Sequence, residues 1–102
     1  MSVNETTKAK FHPGQIVATP GALEALQDAG QQPHEFLVRH LDGDWGDLDD
    51  EDRSLNDAAV IDGSRILSAY TTRKGERLWI ITEASDDQGR CLCTTILLAS
   101  QH

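Results

Sequence analysis

The sequence predicts an α+β fold: an N-terminal short strand or arm, three helices, then a three-stranded antiparallel meander. Three observations carry this expectation. Helix start and stop signals follow one another from Thr19 to Gly63. From Arg65 onward the apolar residues alternate at period two among β-branched and aromatic neighbours. The composition, 38% apolar and 25% charged over 102 residues, is that of a globular chain too short to divide into two cores. The expected organisation is a flexible N-terminus over 1–10, one domain over 11–99 and a tail over 100–102.

Residues 1–10 offer little to bury. GQIVAT, Gly14 to Thr19, reads as a short strand or an extended arm. Thr19-Pro20 then opens a helix, threonine as N-cap and proline at the first helical position, with Gly30 as its stop. Leu23 and Leu26 mark its expected buried side. A second helix runs from Pro33 towards Gly43, with Glu35 favouring the dipole of its first turn. Its apolar stripe is Phe36, Leu37 and Leu41, and His40 lies on the same stripe. The third helix is expected to start within Asp47–Asp50, to turn Leu48, Leu55, Ala58, Ala59 and Ile61 inward, and to stop at Gly63.

The strands are expected at Arg65–Thr72, Arg77–Glu83 and Cys91–Ala99, joined through RKGE and SDDQG. Ile66, Ser68 and Tyr70 share one face, and Leu67 and Ala69 the other. Apolar residues on both faces imply cover on both, by the helices and arm or by a second copy, so a homodimer through the sheet is one expectation.

Charge is unevenly spread. The net charge is −8, and Asp42–Asp57 alone holds eight acids against the single base Arg53, which accounts for −7 of it. Such a chain has no general electrostatic reason to bind nucleic acid or an anionic membrane, and its acidic face suits a protein partner with a basic surface. The expected partner-binding set is Asp44, Trp45, Asp47, Asp49, Asp50, Glu51 and Asp52. Capping and dipole complementarity explain acids at the start of a helix, but not this many. A calcium loop does not fit. Counted from Asp42, the sixth and twelfth positions are Asp47 and Arg53; counted from Asp47, they are Asp52 and Ala58. Trp45, beside Gly46, reads either as a plug locking helices to the sheet or as an exposed interface anchor.

No metal or cofactor is expected. Cys91 and Cys93 are spaced as small apolar residues on one strand face, and the four histidines show no ligand spacing. No apolar run reaches membrane length and no signal-peptide core is visible, so the expected location is the cytoplasm. An enzymatic alternative is a ribonuclease-like domain in which His40, Arg65, Tyr70 and Thr82 handle protons and phosphate. The acidic balance counts against it, as does the burial expected of His40 from its apolar stripe.

FHPGQIVATPGALEAL, RHLDGDWGDLDDEDRSLND, RILSAYTTRKGERLWIITEA and TTILL resemble, over residues 11–98, a family of short proteins found on bacterial plasmids and integrative elements. Its members are labelled hypothetical or plasmid-related, and sometimes as a restriction-modification subunit. The resemblance implies a protein of a mobile genetic element and brings no established activity. A methyltransferase-subunit role does not suit 102 residues with no glycine-rich cofactor loop. The chain departs from the family's pattern at DDQGRCLC and at its ASQH ending, where the family carries acidic and aromatic residues.

Overall fold

The computed structural model describes residues 10, 11, 13–84 and 93–101. Its elements are β1 (Gln15–Ala18), α1 (Pro20–Asp28), α2 (Pro33–Leu41), α3 (Asp50–Asp62), β2 (Ile66–Thr71), β3 (Arg77–Thr82) and β4 (Cys93–Leu98), followed by a 3-10 turn at Ala99–Gln101. The α+β class stands, but the sheet is four-stranded and mixed. Its order is β1-β4-β3-β2, with β2-β3-β4 antiparallel and β1 parallel to β4. The arm is therefore a full member of the sheet. This pairing joins residues nearly eighty positions apart, which no local pattern encodes.

The chain runs from the β1 edge across the helix layer to the opposite edge, then returns as a meander. The register aligns three rows on the helix-covered face: Ile66, Thr82 and Thr94; Ser68, Ile80 and Ile96; Tyr70, Leu78 and Leu98. Ala22, Ala25 and Leu26 of α1 and Phe36 of α2 pack on the lower two rows. On the other face Ile81 and Ala69 are buried, and Leu67, Trp79 and Leu97 are half-buried. Cys93 has a free, half-buried thiol; Cys91 and the second linker lie outside the described residues.

Local chemistry sets the helix boundaries. The Thr19 hydroxyl accepts from the Ala22 N–H, and Pro20 occupies the first turn. The Gln32 N–H donates to the Glu35 carboxylate at the start of α2. Asp49 caps α3 by accepting from the Asp52 N–H, and Gly63 ends it at φ 81°. The RKGE turn is held by Thr72, whose N–H donates to the Glu76 carbonyl and whose hydroxyl accepts from the Glu76 N–H.

Several burial expectations are corrected. In α3 only Ala59, of the residues expected inside, is buried, while Leu48 is half-buried and precedes the helix. Leu55 and Ile61 stand 63% and 87% exposed. The side meeting the body is largely polar, with Ala59 and Val60 its apolar members. Arg53 donates to the carbonyls of Gly46 and Leu48, and Asn56 pairs both backbone groups of Leu67. Leu23 of α1 is likewise exposed, because Ala22, Ala25 and Leu26 already fill the contact with the sheet.

The outer edge of β2 is closed by side chain and loop. The Asn56 amide satisfies Leu67, and Ala69 exchanges hydrogen bonds with the Trp45 carbonyl and the Asp47 N–H. At Leu67 and Ala69 this edge is therefore closed to another chain. Gly46 sits at the crossing with φ 77°, and a Cβ there would fall on the Ala69 carbonyl oxygen and the Tyr70 ring.

Candidate functional site

Two regions gather the sequence's functional candidates: a buried polar chain around His40 and the acidic segment that leads into α3.

His40 has no exposed surface. Its Nδ1 lies 2.5 Å from the Ser68 hydroxyl and its Nε2 lies 2.8 Å from the Thr82 hydroxyl. Thr82 in turn lies 2.8 Å from the Thr94 hydroxyl, which donates to the Pro13 carbonyl at 2.7 Å. A carbonyl can only accept, and with burial keeping the imidazole uncharged this sets every proton in the chain. The single Thr94 hydrogen goes to Pro13, so Thr82 donates to Thr94. Nε2–H then donates to Thr82, which leaves Nδ1 to accept from Ser68. The imidazole is neutral, in one tautomer, with both nitrogens engaged. Phe11 and Trp45 close over it edge-on, at ring-centroid distances of 5.2 and 5.9 Å. Burial pushes the His40 pKa down to about 3.

The enzymatic alternative needed His40, Arg65, Tyr70 and Thr82 to converge at a water-accessible point. Thr82 does meet His40, but both are buried. Tyr70 is buried too; its hydroxyl donates to the Asp44 carbonyl at 2.6 Å, and burial drives its pKa up to about 12. Arg65 is exposed and lines a groove beside α3. The four do not form one accessible set, and His40 serves as a polar strut joining α2, β2, β3, β4 and the segment leading into β1.

Acids of the second region divide by what they hold. Asp44 accepts from the Arg39 Nε–H at 2.8 Å and from the Gly46 N–H, and the Arg39 hydrogen bond holds its carboxyl below the usual range. The same guanidinium lies over the Tyr70 ring at 4.7 Å from its centroid. Asp47 accepts from the Thr71 hydroxyl, Asp49 caps α3, and Asp57 accepts from the Trp45 indole. Asp50, Glu51 and Asp52 differ. They form the exposed first turn of α3, and their carboxylates hold nothing among the described residues.

Trp45 is corrected as a surface contact. It is 2% exposed, with Phe11 stacked on it at 6.2 Å. It packs with Ala59 and Ile66 as the plug between α3 and the sheet. Beside the acidic turn, Leu48, Leu55 and Leu67 form the apolar lining of an open groove of about 270 Å³, with Asp52, Asn56 and Arg65 as its polar members.

No described family matches this chain, and neither do the curated proteins or the solved structures. Among the described residues no cluster of three or more His, Cys, Asp or Glu is placed to hold a metal ion. Among the same residues no helix is long and apolar enough to cross a membrane.

Proposed function

We propose that this chain is a small binding protein of a mobile genetic element, acting without chemistry of its own, and that it engages a basic surface on a host or element protein complex. The observation that carries this reading is the division of labour among the acids. Asp44, Asp47, Asp49 and Asp57 have hydrogen-bonded tasks within the fold, whereas Asp50, Glu51 and Asp52, spread around the exposed first turn of α3, bond to nothing among the described residues. The helix dipole favours carboxylates in this first turn, but three exposed ones beyond the Asp49 cap are more than capping the helix needs. Their negative field would draw in a basic partner faster. The neighbouring groove offers an apolar floor for an aliphatic side chain of that partner.

The test neutralises only the acids that hold nothing. In capture from the native host, carrying its element, the Asp50→Asn/Glu51→Gln/Asp52→Asn variant should lose the partners that wild type retains at low salt. High salt should release them from wild type. Partners held equally by both proteins at low salt would refute the reading.

A further inference from the structure

The two edges of the sheet are treated differently. The β2 edge is closed by Asn56 and the 45–47 segment, as described above. The β1 edge has no such closure among the described residues. The Thr19 N–H points inward to the Ile96 carbonyl, so by alternation Ile16 and Ala18 turn their N–H and C=O groups outward. No described group pairs with them. Gln15–Ala18 carries no charge and no proline, the usual defences of an open edge. It is apolar on both faces, with Ile16 45% and Val17 41% exposed. Leu23, on the helix that leaves this strand, is also exposed, so three of the six large exposed hydrophobics among the described residues fall within 16–23.

We infer that β1 is a self-association edge, pairing antiparallel with β1 of a second copy about a two-fold axis through Val17. The strand is self-complementary in that register. Ile16 of one copy faces Ala18 of the other, and each such pair exchanges two backbone hydrogen bonds, giving four in all. Val17 meets Val17 at the close, non-hydrogen-bonded position, on the face opposite Ile16 and Ala18. The sheets then join into one of eight strands. Charge favours this edge over any other. The acidic segment lies beyond β2, four strand spacings or about 19 Å from β1, so pairing here sets the two acidic segments at opposite ends of the joined sheet. This inference is independent of the acidic-face reading, and salt separates the two: an apolar, backbone-bonded edge persists at high salt.

Sedimentation equilibrium over a wide concentration range tests it. The wild-type mass should rise from 11.2 kDa towards twice that value, at low and high salt alike. Val17→Lys, which sets two ammonium groups against each other, should raise the dimer dissociation constant by roughly tenfold or more. A second readout guards against a misfolded variant. In a chain carrying Cys91→Ser and Cys93→Ser, Val17→Cys should form a disulfide-linked dimer under oxidised glutathione, because the paired Cβ atoms lie within about 5 Å. Gln15→Cys, offset from its own copy in this register, should not. A single monomer mass at every concentration, an unchanged dimer in Val17→Lys, or equal cross-linking at both positions would overturn the inference. So would a β1 edge occupied by a different protein and never by a second copy.

Discussion

The Trp45 indole donates its Nε1–H to Oδ1 of Asp57 at 3.0 Å, so a residue of the acidic segment anchors the plug between α3 and the sheet. Asp57→Ala would leave a buried N–H without an acceptor, at a cost of about 1–3 kcal/mol. Asp57→Asn keeps an acceptor oxygen in place and should recover most of that loss. The midpoint of urea unfolding, at unchanged slope, measures both. Equal midpoints for Asp57→Ala and wild type would show that the bond contributes nothing.

His40 makes stability depend on pH. Its pKa is about 3 when folded and near 6.5 when unfolded. Above the unfolded value neither state carries the proton, and stability is flat. Between the two values the unfolded chain binds a proton that the folded chain excludes. Stability therefore falls as pH drops through that window, with a slope approaching about 1.4 kcal/mol per pH unit. Asp44, whose carboxyl is held low by Arg39, adds its own loss only in the carboxylate range below. Urea midpoints from neutral pH down to pH about 5 check this. A His40→Gln variant, whatever its absolute stability, should show no such slope.

Gly46 should tolerate a side chain far less well than Gly75, although both have φ near 80–90°. At Gly75 nothing lies within 4 Å of the added Cβ, so Gly75→Ala meets only the backbone penalty of about 1–2 kcal/mol. Gly46→Ala adds a collision with the Ala69 carbonyl and the Tyr70 ring. It must push the 45–47 segment off the β2 edge and expose Trp45. Thermal unfolding of the two variants, with the near-ultraviolet tryptophan signal, should separate them clearly. Matching melting temperatures would contradict the placement of the loop.

What could be read from the sequence was the chemistry that acts locally. Thr19-Pro20, Glu35 and Gly63 mark helix ends because capping depends on residues within one turn. His40 read as a core residue from its stripe with Phe36, and it is one. The inward side of α3 was not legible, since apolar periodicity assumes that apolar side chains do the docking. Here Arg53, Asn56 and Asp57 dock the helix by hydrogen bonds, and Leu55 and Ile61 are left outside. The place of β1 was hidden for another reason. Its partner strand lies at the far end of the chain, and four residues with one exposed edge look the same as an arm. In the acidic segment, composition exposed the surplus of charge, but only geometry separated Asp50, Glu51 and Asp52 from the acids that hold the fold together.

On the proposed function, Asp50, Glu51 and Asp52 recruit a basic partner. The most direct measurement is the association rate with the captured partner as a function of ionic strength. Electrostatic steering predicts a steep fall with added salt for wild type, and a slower, nearly salt-independent rate for the Asp50→Asn/Glu51→Gln/Asp52→Asn variant. The same rate and the same salt dependence in both proteins would contradict it.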